Sequence, residues 1–512
     1  MIVILHENKK IAAIKNIKDS EIYVGMKVVK GMFLLAKNNP QAIVIWCAIG
    51  LEPFLNFKEL KNIFHHKRLM ASFSVSGEHF LLDDIGYVEN SPFVKIKSSV
   101  TYPTWIMSAN VGGIYAEALL KFKDLAHLKD LEYFLTSLAK KGQSNGLLCY
   151  SEPKLLVHKS DLFSWQSVSE YSTFKLFRFI KQHYRTRWVF LLFLDFFLYE
   201  KRFPITSLLI SLFYKKFSFD NAINEIALQS SMTGTMETEW DVIIPTIGRK
   251  LYLYDVLKDL TMQTVLPQKI IIVEQNPDPE SETELNYIKN EIWPFTIKHH
   301  FIHNTGACNA RNLALKETTA PWVFLADDDN RLEADCLEKA LFYLNKTACK
   351  AITGSYLQAN EKKVFNDIIQ WPTFGAGNSF IAGTIARNVS FNIGYEFGYG
   401  EDADYGMQLR NIGVDILYIP QLEILHLKAP IGGFRKSISK AWELEKVVPK
   451  PSPTVMLYKL MHNTDKQILG YKTVLFLKNY KRQAIKNPFN YIKIMQKRWK
   501  SSMLWAKQLQ NI

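Results

Sequence analysis

Short apolar runs alternate with amphipathic stretches from Trp240 onward. The apolar runs WDVIIPT and PWVFLA have the length and the β-branched and aromatic content of buried strands, and KIIIVEQNPDP begins as a strand of this kind and runs into a turn with two prolines. Between and after them, LYLYDVLKDLTMQ, ACNARNLALKETT and RLEADCLEKALFYL repeat apolar residues at helical spacing. Strands that alternate with helices in this way predict an α/β fold with a mainly parallel sheet.

Polar residues directly follow three of these predicted strands. The segments are Pro245 to Arg249, Glu274 to Asn276 and Asp327 to Asn330. In a parallel sheet the carboxyl ends of the strands meet at one edge, and ligands bind there. We therefore expect these three segments to line one cleft.

The first 160 residues have the pattern of a separate α/β region. Its end, LLCYSEPKLLVH, resembles ILYIPQLEILH near the end of the second region, with equal spacing from Tyr150 to His158 and from Tyr418 to His426. Upstream, DLEYFLTSLAKKGQSNG (130–146) occupies the position of EDADYGMQLRNIG (401–413). We interpret this echo as a degenerate partial duplication.

Residues 161–235 are aromatic and basic and predict a helical connector. Within them, RWVFLLFLDFFLYEKR has an apolar part much shorter than the ~20 residues that a spanning helix needs, so a buried or interfacial helix is expected. The predicted division is an α/β domain over 1–160, the connector over 161–235, a second α/β domain over 236–430, and a basic amphipathic helical region over 431–512.

The basic charge of the chain is concentrated at its C-terminal end. From Lys428 to Ile512 there are 18 Lys and Arg against 3 Asp and Glu, interleaved with Tyr, Phe, Ile, Met and Trp. This pattern favours an amphipathic surface facing anionic lipid. A solvated basic face on a packed helix is the alternative, and nucleic-acid binding is not favoured because no motif for it accompanies the charge.

Cysteine usage and the first residues predict a cytoplasmic protein. The five cysteines are scattered and lack the spacing of a disulfide framework or a zinc site. The start, MIVILHENKK, lacks the basic and apolar segments of a signal peptide.

Three consecutive aspartates in FLADDDN follow the third predicted strand. Asp327 and Asp329 flank Asp328, and alternate carboxylates after a strand can bind one Mg²⁺ or Mn²⁺ ion. Alternatively, Asp329 or Asn330 caps the helix that follows, where the helix dipole favours negative charge.

A second acidic cluster, GYGEDADYGMQLRNIG, opens a predicted helix after a glycine-rich turn. A carboxylate such as Glu401 or Asp402 at this position can act as a general base, although an acidic helix start is also typical of structural capping. The preceding FGAGNSFIAG has small residues that let a ligand approach the backbone. In NTGACNARN, Arg311 lies one turn into a helix and could pair with a phosphate or with the aspartates.

Taken together and in this order, PTIGR, the turn after IIIVEQN, N-x-G-x-x-x-A-R-N, FLADDDN and G-E-D-x-D-Y resemble the family 2 glycosyltransferases. The resemblance covers about residues 238 to 430. It implies a GT-A fold and an inverting hexosyltransferase of the bacterial envelope-glycan type. It further implies that residues 1–160 are a degenerate GT-A-like domain without a second active site, since DLEYF offers only Asp130 and Glu132.

The resemblance also assigns roles to individual residues. Asp402 would be the general base, with Glu401 orienting the acceptor or the base. A divalent cation, Mg²⁺ or Mn²⁺, would be held by Asp327, Asp329 and His426. Contacts to the nucleotide sugar are expected from Pro245, Thr246, Arg249, Glu274, Asn304, Gly306, Arg311, Asp327 and Asp328. Glu274 stands where the family usually has aspartate, which leaves the nucleotide open.

The expected partners follow from the same resemblance. They are a UDP-, GDP- or dTDP-sugar donor, a glycan or lipid-linked acceptor, and an anionic membrane surface reached by the C-terminal region, with no nucleic acid. The enzyme would then be cytoplasmic and peripheral on the inner face of the membrane. Two rival hypotheses are a nucleotidyltransferase, which also uses D-x-D, and a non-catalytic membrane-associated scaffold.

Overall fold

A computed structural model describes residues 1–7, 9–157, 171–218, 223–232, 237–430 and 440–511. The predicted domain boundaries at 160, 235 and 430, and His158 of the sequence echo, fall in or beside stretches outside these ranges. The chain divides into two compact units. The first comprises Met1–Met232, Asn411–Gly413 and Asn463–Asn479, and the second comprises Thr233–Arg410, Val414–His462 and Tyr480–Ile512.

The first unit is built on a seven-stranded sheet. Its strands are β1 (Ile2–Glu7), β2 (Lys10–Lys15), β3 (Ile43–Ala48), β4 (Leu69–Phe73), β5 (Tyr102–Pro103), β6 (Val111–Tyr115) and β7 (Leu148–Ser151). The helices are α1 (Val28–Asn38), α2 (Leu60–Ile63), α3 (Ala116–Leu120), α4 (Leu131–Gln143), α5 (Thr173–His183), α6 (Arg187–Asp195) and α7 (Ile205–Leu212). A π-helical turn, Phe196–Glu200, extends α6.

The second unit is built on a nine-stranded sheet. Its strands are β8 (Trp240–Thr246), β9 (Lys269–Gln275), β10 (Thr296–Ile302), β11 (Trp322–Ala326), β12 (Asn330–Leu332), β13 (Ala351–Leu357), β14 (Ile369–Gln370), β15 (Asn378–Ala382) and β16 (Leu417–His426). The helices are α8 (Lys250–Thr261), α9 (Tyr287–Asn290), α10 (Ala307–Lys316), α11 (Cys336–Thr347), α12 (Gly383–Ala386), α13 (Glu401–Asn411) and α14 (Pro453–His462).

Strands β10, β9, β8 and β11 are parallel neighbours, as the alternating pattern predicted, and the predicted α/β fold class is confirmed. Their core is apolar on both faces, since Ile243, Ile271 and Phe324 are fully buried. Beyond β11, the sheet continues through antiparallel β15 and β13, and then β16, which is parallel to β13.

The two last helices belong to different units. Helix α15 (Asp465–Tyr480) lies mostly in the first unit, and α16 (Pro488–Leu509) lies in the second, where it packs on α14. None of the described helices is long and apolar enough to cross a lipid bilayer.

Both sheets share one strand order. The series β1-β3-β6-β4-β7-β5 in the first unit is repeated as β8-β11-β15-β13-β16-β14 in the second. Each neighbouring pair also has the same parallel or antiparallel sense as its counterpart. The second unit adds β9, β10 and β12, and the first adds β2. The chain therefore contains one topology twice.

Backbone hydrogen bonds show which residue of the first unit corresponds to which residue of the second. The N–H of Ala116 donates to the residue before β3, and the N–H of Gly383 donates to the residue before β11. Starting from this matched pair, the strand registers match further residues of the two units: Tyr102 with Ile369, Tyr115 with Ala382, and Tyr150 with Leu417. The two residue numbers differ by the same amount in each of these pairs. The positive-φ glycines Gly146 and Gly413 keep the same interval. The sequence echo, which aligned Tyr150 with Tyr418, is thus one residue out of register.

A buried carboxyl, Asp195 at the end of α6, ties α15 into the first unit. Its Oδ1 accepts a hydrogen bond from the Thr473 hydroxyl, and burial raises its pKa to about 7 in spite of this bond. The folded unit therefore holds a proton that the unfolded chain would release at a lower pH.

We predict that Asp195→Asn stabilises the first unit and that the gain grows with pH. Stability is lost as the pH rises from the ordinary value of 3.8 to about 7, by up to about 1.4 kcal/mol per pH unit, and asparagine removes this loss. Thermal unfolding of both proteins between about pH 5 and pH 8 measures the gain. The exposed Asp83→Asn is the control, and a gain that does not vary with pH would contradict the assignment.

Candidate active site

The segments that the sequence placed at one edge of the sheet do converge there. Thr246 ends β8 and lies beside Glu274 of β9, and the three aspartates follow β11, the other neighbour of β8. Hydrogen bonds from residues 246 and 249 to the aspartates connect the first turn with the third. These residues form the wall of one site at the carboxyl ends of the strands.

Asp328, the middle aspartate, is a buried structural link. Its carboxylate accepts the Thr246 hydroxyl at 2.7 Å and Nη1 of Arg249 at 2.7 Å. Burial raises its pKa to about 6, against the opposing effect of the arginine. Asp328 therefore fastens the turn after β8 to the turn after β11.

Asp329 is also buried, but it is held in the ionised form. Its carboxylate accepts the Ala429 N–H at 2.9 Å, and it lies 3.3 Å from Nη1 of Arg249 and 3.6 Å from Nε2 of His426. Burial raises its pKa, but these three neighbours together bring the pKa below the usual value. The pair of Asp329 and His426 thus places a carboxylate beside an imidazole.

Asp327 is the most accessible of the three, with 27% of its side chain exposed. Its Oδ1 accepts Nη2 of Arg311 at 3.0 Å, and its Oδ2 lies 3.3 Å from the Tyr356 hydroxyl. A Cβ on Gly377 would lie 2.2 Å from this Oδ2, so only glycine fits beside it. The ring of Tyr356 stacks on His426 at a centroid distance of 4.4 Å.

Asn330 does not cap the helix that follows, contrary to the expectation from sequence, and neither does Asp329. Asn330 begins strand β12, which pairs with the end of β16, and the helix α11 starts only at Cys336 with Asp335 at its N-cap. The Nδ2 group of Asn330 donates to the Gly377 carbonyl at 2.7 Å. The strand forms because β16 offers it a backbone partner, and this pairing sets His426 directly across from Asn330.

Arg311 links Asp327, in the turn after β11, to the second acidic cluster. It lies in α10, its side chain is buried, and besides Asp327 it feels the charges of Asp402 and Glu401. Burial lowers its pKa, but these carboxylates raise it above the ordinary value. The predicted interaction between Arg311 and the aspartates is therefore present.

Glu401 and Asp402 open helix α13, as predicted. Oδ1 of Asp402 accepts the Ala376 N–H at 3.2 Å, which joins the helix start to the small-residue loop before β15. The removal of solvent from this half-buried carboxyl, and then the charge of Glu401, raise its pKa to about 7, while Arg311 acts in the opposite direction. Such a pKa suits a group that exchanges a proton near neutral pH.

Glu396 is a site residue that the motifs did not reveal. Its carboxylate oxygens accept the N–H groups of Cys308 and Asn309, both at 3.0 Å, and so cap the N-terminus of α10. The carboxyl lies 2.3 Å from where a Cβ on Gly306 would be. Its only sequence signal is an acidic residue in the turn before GYGED. Asn304 is exposed in the turn before α10, and its carbonyl accepts a hydrogen bond from the Asn309 side chain.

The Glu274 carboxylate interacts with three nearby residues. It accepts the Thr283 hydroxyl and the Glu284 N–H at 3.1 Å, and Nε2 of His299 lies 2.9 Å away. Burial raises its pKa, but these partners bring the pKa below the usual value. A pocket of about 570 Å³ beside it is lined by Trp293, Phe295, Phe301 and other residues. Pro245 precedes Thr246 at the end of β8.

Within the described ranges, no three His, Cys, Asp or Glu side chains are grouped closely enough to hold a metal ion. Asp327 and Asp329 instead have arginine partners. The donor chemistry of two carboxylates and one imidazole nevertheless suits Mg²⁺ or Mn²⁺, and Asp329 is ionised and already beside His426.

The first unit does not carry carboxylates at the positions that match Asp327, Glu401 and Asp402. From the strand register, Ala48 stands at the position of Asp327. Counted back from the matched glycines Gly146 and Gly413, Phe134 and Leu135 stand at the positions of Glu401 and Asp402. Both Phe134 and Leu135 are fully buried. The first unit therefore has no carboxylates at these three positions, although Asp130 and Glu132 lie at the start of the same helix.

The family model described as "Glycosyl transferase family 2" matches residues 241–405. Residues 241–405 form a family 2 glycosyltransferase domain. This glycosyltransferase domain contains every predicted site residue except His426. Of the two enzyme classes considered from sequence, the match identifies the glycosyltransferase and not the nucleotidyltransferase.

Solved structures give more distant similarities. The crystal structure of TarS from S. aureus has 13% identity and a TM-score of 0.32, covering 46% of this chain and 42% of TarS. TarS residues 1–349 in complex with UDP-GlcNAc has 13% identity and a TM-score of 0.30, covering 53% of this chain and 74% of that one. The mannosyltransferase PcManGT from Pyrobaculum calidifontis, in complex with GDP-Man and Mn²⁺, has 14% identity and a TM-score of 0.28, covering 53% of this chain and 73% of PcManGT. No curated protein sequence matches the chain.

We predict that Arg249→Met strongly destabilises the glycosyltransferase domain. It leaves two buried carboxylates, Asp328 and Asp329, without their shared cation, which should cost about 3–5 kcal/mol of unfolding free energy. Chemical denaturation measures the loss. Adding Asp328→Asn should restore part of it, because one uncompensated charge is removed.

The matched control is Arg331→Met in the same unit. Arg331 also binds a carboxylate, that of Asp259, but its side chain is 42% exposed, so a loss of about 1 kcal/mol or less is expected. If both variants lose the same unfolding free energy, the burial of the Arg249 ion pairs does not make them more stabilising than the exposed pair of Arg331.

Proposed function

We propose that the protein is an inverting glycosyltransferase that moves a sugar from a nucleoside-diphosphate sugar to a hydroxyl of a glycan or lipid-linked acceptor. The observation that carries the proposal is the placement of Asp402 at the start of α13, where it is half-buried, accepts the Ala376 N–H, and has its pKa raised by burial and by Glu401. It lies in the same electrostatic network as Arg311 and Asp327. A proton acceptor and an anion-binding cation thus share one site.

In the proposed reaction, Asp402 takes the proton of the acceptor hydroxyl as the oxygen attacks the anomeric carbon. The new C–O bond forms while the bond from that carbon to the diphosphate breaks, and the nucleoside diphosphate leaves with the electron pair. One displacement of this kind inverts the anomeric configuration. Glu401 assists because its negative charge raises the pKa of Asp402. A positioned base typically contributes ~10²–10⁴-fold to the rate.

The donor is proposed to bind along the edge formed by the turns after β8, β9 and β11. Arg311 and the turn fixed by Thr246, Arg249 and Asp328 lie on the diphosphate side. Asn304 and Gly306 belong to the turn before α10 on the same side. Pro245 and the pocket beside Glu274, with its aromatic lining, are proposed for the nucleoside. UDP, GDP and dTDP sugars all remain candidates for this pocket.

A divalent cation is proposed at Asp327, Asp329 and His426. When bound, Mg²⁺ or Mn²⁺ would neutralise the diphosphate and stabilise it as a leaving group. The ionised Asp329 beside His426 supports this assignment. Envelope-glycan synthesis at the inner face of the membrane is part of the same proposal and rests on the family resemblance.

Donor binding tests the proposal directly. Titration calorimetry of the full chain with UDP-, GDP- and dTDP-sugars, each with Mn²⁺ and with EDTA, should reveal one preferred donor whose binding needs the cation. Asp329→Asn should weaken this binding at least about tenfold, because it removes a metal ligand. Asp402→Asn should retain binding and lose ~10²–10⁴-fold in transfer. If none of the nucleotide sugars binds, the proposal is wrong.

The pH dependence of transfer tests the role of Asp402. We expect kcat/KM to rise with pH and to level off above an apparent pKa of about 7, since only the ionised carboxylate accepts a proton. Glu401→Gln should move this limb to lower pH, because the charge that raises the pKa is removed. Glu317→Gln at the end of α10 is the control and should leave the limb unchanged. If the pH profile of kcat/KM does not shift in Glu401→Gln, the charge of Glu401 does not control the pKa of Asp402 and this assignment is wrong.

A further inference from the structure

Helices α6 and α7 of the first unit expose large apolar side chains to solvent. We call this the α6–α7 surface, and its principal members, with exposed fractions of 42–89%, are Phe190, Phe197, Phe203, Ile205, Leu209 and Phe213. Single exposed apolar residues are common on soluble proteins, but a group of this size concentrated in one short segment marks a contact surface.

Helix α7 buries its serine side chains and exposes large apolar side chains, which is the reverse of a helix that faces water. Ser207 and Ser211 face the protein, with exposures of 3% and 1%, while Ile205, Leu209 and Phe213 recur every four residues on the outer side. A helix that contacts water normally buries its apolar stripe and exposes its hydroxyls. The outward face of α7 is therefore suited to an apolar medium.

The apolar members are connected across the turn between the two helices. The rings of Phe197 and Phe203 contact each other at a centroid distance of 5.0 Å. Phe190 and Phe197 are two helical turns apart and so lie on the same side of the continuous α6 and π-helical segment. The exposed groups of α6 thus join those of α7.

Cations flank this surface. The exposed charged residues between 185 and 218, all of which the structure describes, are basic: Arg185, Arg187, Lys201, Arg202, Lys215 and Lys216. The two acidic residues of the segment are engaged within the unit. Asp195 is buried and binds Thr473, and Glu200 accepts from the Tyr87 hydroxyl and pairs with Lys466. Basic residues at the helix ends and apolar residues between them are the pattern of a helix that lies in the interface of an anionic membrane.

We propose that the α6–α7 surface inserts into the headgroup and upper acyl region of an anionic lipid bilayer. The surface lies on it and does not cross it, in keeping with the absence of a spanning helix among the described residues. The sequence had indicated the basic C-terminal region for this contact. Helix α16 also exposes apolar residues, Phe489 and Leu504, so the two surfaces make competing predictions. The proposal does not depend on the sugar-transfer reaction.

Co-sedimentation of the full chain with lipid vesicles tests it. Binding is compared between vesicles of phosphatidylcholine alone and vesicles that also contain phosphatidylglycerol. We expect the chain to bind the anionic vesicles more tightly and to lose part of this binding at high salt. Leu209→Ser combined with Phe213→Ser should lower the partition coefficient at least about tenfold, because two exposed apolar side chains no longer insert.

The matched control carries the same kind of change on α16, Phe489→Ser combined with Leu504→Ser, and should bind vesicles as the unaltered chain does. Because all four side chains are exposed, thermal midpoints and nucleotide-sugar binding should remain unchanged in both variants. The proposal is overturned if the unaltered chain ignores anionic vesicles, or if the α16 pair alone causes the loss. It is equally overturned if the α6–α7 pair only converts a dimer to a monomer on size exclusion, which would make the surface an interface between two copies.

Discussion

Three adjacent carboxylates can persist at the end of a buried strand only if cations or hydrogen-bond donors compensate their charge. Uncompensated, each buried charge would cost several kcal/mol. Arg249 serves Asp328 and Asp329 from the turn after β8, and Arg311 serves Asp327 from α10. The two arginines belong to different elements, so their ion pairs join the turn after β8 and the helix α10 to the turn after β11.

This neutralisation also connects the two acidic clusters. Arg311 is close enough to Asp402 to oppose the rise in its pKa, so the same guanidinium holds one aspartate and tunes another. Glu396 caps the N-terminus of α10, the helix that carries Arg311, and so stabilises the helix from which the guanidinium extends. The position of the arginine therefore depends on a carboxylate that takes no direct part in the proposed reaction.

Local periodicity was sufficient to predict much of this fold. The run WDVIIPT coincides with β8, the first seven residues of KIIIVEQNPDP form β9, and α13 begins directly after the glycine-rich turn. What could not be predicted depends on partners distant in the chain. Asn330 lies in a strand because β16 pairs with it, and the place of Gly377 beside Asp327 exists only after β15 and β11 have paired. The places of Tyr356 and Glu396 in the site could not be predicted for the same reason.

The repeated strand order has a consequence for the charges that each sheet has to accommodate. A carboxylate removed from water costs free energy unless a cation or hydrogen-bond donors compensate it, and an apolar side chain at the same position needs no such partner. In the first unit, Ala48, Phe134 and Leu135 occupy the matched positions and carry no charge. One strand order therefore supports charged side chains at these positions in one unit and apolar side chains in the other.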